Sequence, residues 1–170
     1  ELLSRLVTKS MVVVDSRGED GEPSDPRYRF LETLREYAEQ KLVESGEAEA
    51  GRRRHRDWYL DLAEQAIDGM EGAEQKHWWA RLELERDNLR MALGWSAADP
   101  GGSDELLRLA GLLGRFWMVR GFAREGIGWL EAALASAEAS PSAARAGALN
   151  WLGELEMDNG NVARARPLLE

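Results

Sequence analysis

Apolar and polar positions along this 170-residue chain recur in two rhythms. Near the start, Met11-Val12-Val13-Val14-Asp15 is rich in β-branched residues and Arg27-Tyr28-Arg29-Phe30-Leu31 alternates polar with apolar. Ser16 to Pro26 between them is full of Gly, Asp, Ser and Pro, so the pattern predicts a β-hairpin with a long polar loop. Directly afterwards Leu31, Leu34, Ala38 and Leu42 follow the three-and-four spacing of one helix face, and Gly46 stands where a left-handed residue would end that helix. Glu1 to Val7 already carries helical spacing, with no initiator Met, basic stretch or cap before it, and Ala163 to Glu170 stops inside a helical pattern. Both ends read as cuts through helices, the first not as a signal peptide, and sequence is expected on either side.

From Arg52 onward the strand rhythm disappears. Trp58, Leu62 and Ala66 mark one helix closed by Gly69 and Gly72, and Trp78, Leu82, Leu89 and Leu93 stripe a second closed by Asp99-Pro100-Gly101-Gly102. Ser103 offers an N-cap for a third, with Asp104 and Glu105 in its first turn, where the helix dipole favours acids. Ser140-Pro141 repeats the device, a cap residue followed by proline at the first helical position.

A shift of 39 residues then superposes Leu113-Gly114 on Leu152-Gly153, Gly121 on Gly160, and Leu130-Glu131 on Leu169-Glu170. Each unit predicts a helix with a small residue that admits its hairpin partner, a glycine break, and a second helix with large apolar residues that fill the gap to the next hairpin. Neither hairpin buries its apolar face alone. The units resemble the tetratricopeptide repeat, whose pattern is met by Leu113, Gly114, Gly121, Gly126 and Leu130 and again by Leu152, Gly153, Gly160, Ala165 and Leu169. The period exceeds the usual 34 residues by about a helical turn, and Glu156 stands where Trp117 supplies the expected aromatic.

Charge and composition narrow the function classes. Lys and Arg total 22 against 31 Asp and Glu, a net charge of −9 that argues against nucleic acid as a direct partner of this segment. Arg52-Arg53-Arg54-His55-Arg56 is the local exception; it follows Glu44, Glu47 and Glu49 and reads as a solvated helix start. The absence of cysteine removes disulfides and thiol chemistry and fits a reducing, cytoplasmic setting. Apolar runs of only a few residues exclude a membrane-spanning segment. With no G-x-x-x-x-G-K-[ST] loop, G-x-S-x-G elbow, H-E-x-x-H pair or EF-hand loop, no catalytic residue, cofactor ligand or metal ligand is assigned. Gly126-Ile127-Gly128 lies in helical spacing and reads as packing, and His55 and His77 read as exposed helix histidines. Glu83 and Asp87, interleaved with Arg86 and Arg90, look like surface ion-pair partners.

Three segments taken together, Leu3 to Val12, Arg27 to Ala38 and Trp79 to Leu93, resemble the region after the nucleotide-binding domain of bacterial STAND-type (NB-ARC-like) ATPase regulators, many of them transcriptional activators. The resemblance implies a mainly α chain: residues 1–48 form the C-terminal part of a winged helix with its β-hairpin, 49–100 a helical connector, and 101–170 antiparallel tetratricopeptide-like hairpins in a right-handed superhelix. It further implies a non-catalytic interaction segment for a protein or peptide partner, with ATP or ADP bound upstream. Phe30, Leu31 and Glu32 occupy the place of the family's Met-His-Asp motif, and leucine cannot donate the hydrogen bond that the histidine gives to phosphate. A stand-alone tetratricopeptide adaptor and a winged-helix DNA-binding fragment are the alternatives.

In the tetratricopeptide register the first helix of each unit lines a concave groove, which would present Arg108, Arg115 and Met118 from one unit and Asn150, Glu154 and Asp158 from the next. Of the seven tryptophans, Trp58, Trp78, Trp117, Trp129 and Trp151 fall on stripes expected to face neighbouring helices. Trp79 and Trp95 fall off the stripe and are candidates for contact with a neighbouring module.

Overall fold

The β-branched run does form a strand. In the computed structural model, which describes residues 1–17 and 23–169, β1 (Val12–Arg17) pairs antiparallel with β2 (Pro23–Phe30), Val12 facing Phe30 and Val14 facing Tyr28. Of the long loop expected over Ser16 to Pro26, residues 16–17 and 23–26 are strand. Pairing runs on to Arg17 and Pro23 past a register shift after Asp15, and residues 18–22 lie outside the described ones. Pro23 and Pro26 are tolerated because both strands of a two-stranded sheet are edges.

The chain divides into two units, Glu1–Gly51 and Arg52–Glu170. In the first, α1 (Leu2–Thr8) leads into β1 through Ser10, which adopts φ 55°; its N–H donates to the Val7 carbonyl and that of Met11 to the Leu6 carbonyl. α2 (Glu32–Glu44) ends at Gly46, φ 77°, as its spacing predicts. No residue of α2 is buried, and Tyr37 and Val43 expose more than half of their area.

The second unit is entirely helical among the described residues. It holds α3 (Ala48–Gly69) from Arg52 on, α4 (Gln75–Leu84), α5 (Arg86–Ala98), α6 (Ser103–Arg120), α7 (Ala123–Ser136), α8 (Ala143–Asp158) and α9 (Val162–Leu169). The chain is thus mainly helical, a two-stranded antiparallel hairpin followed by helices. Leu62, Ala66, Leu89, Leu93, Leu106, Leu113, Phe116, Trp117, Leu130 and Leu155 belong to one apolar core.

Three local expectations are corrected. The single helix expected from Trp78 to Leu93 is two, because the backbone at Glu85 turns to φ −94°, ψ 4° while the Glu85 carboxylate is drawn into the interior. α6 is capped by Gly102 and not Ser103, since a Cβ at Gly102 would lie 2.4 Å from the Ser96 carbonyl oxygen. α8 is capped by Ser142 and not Ser140; the Ser142 hydroxyl oxygen accepts from the Arg145 N–H.

The repeat is structural as well as sequential. Gly121 and Gly160, φ 74° and 82°, follow α6 and α8 at equivalent places. Leu113 and Leu152 are both buried in the core, as are Phe116 and Leu155. The glycines inside the helices divide their work differently from expectation. Gly153 admits Leu169 of its own hairpin, but Gly114 admits the Trp151 ring of the next one, and Gly126 takes over the close approach to Trp117 within the first hairpin. Contacts of Gly111 with Ala148 and of Gly114 with Trp151 keep one sequence offset, so α6 and α8 run parallel. Arg108–Glu64, on α3, and Arg115–Glu71, just past its end, also share one offset, 44 residues, so α3 runs parallel to α6. Glycine and alanine bring α8 against α6, whereas long charged side chains reach from α6 to α3 and the turn that follows it.

Candidate functional site

The residues expected to line a groove stand on two helices. Arg108 and Arg115, two turns apart on α6, are engaged by Glu64 and Glu71. Met118 is half-buried against the core. Asn150, Glu154 and Asp158, one turn apart each on α8, are exposed, and none makes an ion pair or side-chain hydrogen bond among the described residues. The free polar face is therefore that of α8; the basic side chains of α6 already have partners.

Within the arginine run near the start of α3, Arg53 and Arg54 are exposed as expected of a solvated helix start, but Arg56 is not. Arg56 is buried: its Nη2 lies 2.8 Å from Asp57 and 3.3 Å from Glu105, and its Nη1 3.4 Å from Asp99, which Arg53 also approaches at 3.5 Å. A guanidinium this buried needs its carboxylates; Asp57 is its neighbour on α3, and Asp99 and Glu105 come from the α5–α6 connection and the first turn of α6. Asp99 is 43 positions away in sequence, too far for the local charge pattern to reveal it.

At the α4–α5 joint, the buried Glu85 Oε2 accepts from the Tyr59 hydroxyl at 2.8 Å and from the Asn88 amide at 2.7 Å, and Arg81 Nε lies 3.7 Å from Oε1. His55 is half-buried rather than exposed. Its ring meets Tyr59 at 4.5 Å and Trp95 in a T-shaped contact at 4.6 Å, and its buried Nδ1 has no hydrogen-bond partner among the described residues. Burial pushes the imidazole below its ordinary value, and the Glu85 charge opposes that push. Glu156, completely buried in the second hairpin, accepts from the Asn161 amide at 2.6 Å and meets Arg164 at 2.8 Å, so the carboxylate in the aromatic position organises the α8–α9 turn.

Trp117 is buried, and Trp78, Trp129 and Trp151 are half-buried against the core. Trp58 departs from the stripe expectation: 47% of it is exposed, because the α3 face that carries it opens onto a cleft. Trp79 is half-buried and stacks on Phe116, and Trp95 packs against His55, so both rings have partners within the second unit. Arg86–Glu83 and Arg90–Asp87 pair as expected, but Arg90 also grips Glu125 of α7 with two hydrogen bonds of 2.7 and 2.6 Å, and the Glu125 carboxylate raises the guanidinium further.

The cleft lies between α3 and α4, has a volume of about 280 Å³ and is open to solvent. Trp58, Asp61, Leu62 and Gln65 line it from one face of α3, and His77, Trp78 and Arg81 from α4. The signal was in the sequence: positions 58, 61, 62 and 65 follow helical spacing, and two indoles flank two polar groups. No group of three or more His, Asp or Glu among the described residues is arranged to hold a metal ion, and none of their helices is long and apolar enough to cross a membrane.

The chain is similar to proteins named "Putative HTH-type transcriptional regulator" in Mycobacterium tuberculosis (strain ATCC 25618 / H37Rv) and Mycobacterium bovis. Identity is 41% over 132 residues, which is 78% of this chain and 14% of each relative. The chain therefore spans about one seventh of the length of these relatives. No protein-family model and no solved structure matches it.

Proposed function

We propose that this chain is a non-catalytic regulatory and protein-interaction segment of a larger transcriptional regulator built on a STAND-type ATPase, and that it couples the nucleotide-binding module to a helical-repeat sensor. The observation that carries this reading is the structural repetition of α6–α7 by α8–α9, with Gly121 and Gly160 at equivalent turns and parallel first helices. Repetition of this kind builds an extended scaffold and not a reaction centre. The similarity to proteins described as transcriptional regulators, of which the chain spans 14%, supports a regulatory role within a longer protein.

In this reading the hairpin unit is the end of a winged helix resting against the nucleotide-binding module. Its exposed Phe30, Leu31, Tyr37 and Val43 support that, because an isolated small unit gains nothing from leaving such side chains in water. ATP or ADP belongs to that module and not to this segment, whose own partners are proteins or peptides in the cytoplasm. The hairpins are tetratricopeptide-like, and the exposed Asn150, Glu154 and Asp158 are the groove positions left for a partner. Their test is Glu154→Arg, which disturbs no described ion pair and should abolish partner capture if the groove is used.

A DNA-binding role for this segment is the second reading, favoured by the words "HTH-type" in the relatives' description. The engagement of Arg56 by three acids and the net charge of −9 speak against it here. The deciding experiment compares the full-length protein with the 170-residue chain. ATP hydrolysis by the former only, and no duplex binding by the chain at low salt, support the proposal; turnover or salt-dependent duplex binding by the chain overturns it.

A further inference from the structure

The cleft between α3 and α4 carries a charge that the molecule does not answer. Arg81, which lines it, pairs with Glu85; beyond it, Glu64 and Glu71 of the same region are taken by Arg108 and Arg115. Asp61 is exposed and makes no ion pair or hydrogen bond among the described residues. Beside it stand two indoles. Trp78 lies directly over Gly69, where a Cβ would come within 2.0 Å of the indole Nε1, so glycine is what lets this ring reach its place. Trp58 meets Tyr59 edge-on at 4.6 Å and leaves 47% of its surface to solvent.

Indole faces attract cations through their quadrupole, and a carboxylate beside them adds a counter-charge. We propose that this cleft binds an arginine side chain presented by a partner polypeptide. A guanidinium is planar and weakly hydrated, so it stacks on indole where a compact, strongly hydrated ammonium does not, and it can donate to Asp61 and to the Gln65 amide oxygen together. The openness of the cleft along two helices suits a side chain that arrives on a backbone; a free small molecule is held by a pocket that encloses most of its surface. The net charge of −9 draws a basic partner toward the molecule. The inference stands whether or not the longer protein is an ATPase.

The test follows the indole N–H signals of the ¹⁵N-labelled chain during titration with acetyl-Gly-Arg-Gly-amide and with its citrulline counterpart, which has nearly the same shape and no charge. W58F and W78F assign the two signals. The expected result is saturable movement of the Trp58 and Trp78 signals with the arginine peptide, a static signal from the buried Trp117, and weaker binding of the citrulline peptide. Asp61→Asn should weaken the arginine peptide by roughly threefold, the size of one exposed charge pair. Trp58 and Asp61 are exposed, so their variants keep the test valid even if W78F fails to fold. Equal binding of the two peptides, an unchanged affinity in Asp61→Asn, or no movement of the two signals overturns the proposal.

Discussion

The hydroxyl of Tyr59, in the middle of α3, donates to Glu85 Oε2 across 2.8 Å, and this bond ties α3 to the joint between α4 and α5. Both residues are buried, so the bond to a charged acceptor sits where water cannot replace it. Tyr59→Phe should lower the unfolding free energy by about 2 kcal/mol, measured as a reduced urea midpoint at unchanged slope. A loss within error of zero would mean that Glu85 is satisfied without Tyr59.

His55 sets a pH dependence. Its folded-state pKa lies below the ordinary 6.5 because burial disfavours the charged ring. The unfolded chain therefore binds more protons near that pH, and the stability contributed by neutral His55 is complete above the unfolded value and lost as pH falls through it toward the folded one. The urea midpoint should fall on going from neutral to mildly acidic pH in the natural chain and fall less in His55→Gln. Identical pH profiles for the two chains would contradict the assignment.

Two helical glycines, Gly114 and Gly128, should respond in opposite ways. A Cβ at Gly114 would lie 2.1 Å from Trp151 Cγ, so Gly114→Ala forces the ring or the helix to move and should destabilise by about 2 kcal/mol. At Gly128, inside α7, nothing lies within 4 Å of a Cβ, and Gly128→Ala should stabilise by about 0.5–1 kcal/mol through helix propensity alone. Thermal unfolding of both variants checks the sign of each change.

How much of this was legible in the sequence varied with the range of the interaction. Helices, the hairpin and the repeat follow from local rules: Val12 to Val14 favour a strand, and Gly121 and Gly160 end helices in the left-handed conformation that their spacing suggests. The break at Glu85 was hidden because Trp78, Leu82, Leu89 and Leu93 keep helical spacing across it. Nothing local distinguishes a glutamate that a distant tyrosine will draw inside. Arg56 was misread for the same reason, since Asp99 and Glu105 come from distant segments. Of the site, the aromatic and polar residues of the α3 face were visible as a pattern, but the cleft appears only once α4 turns Trp78 over Gly69.

The claim that this chain couples a nucleotide-binding module to a helical scaffold is tested most directly by hydrogen–deuterium exchange on the full-length protein, loaded in turn with ADP and with a non-hydrolysable ATP analogue. The coupling account predicts that amide protection across Glu1–Gly51 changes between the two nucleotides, while the 170-residue chain alone shows the same protection with either. Protection in that unit that is identical in both nucleotide states of the full-length protein would contradict it.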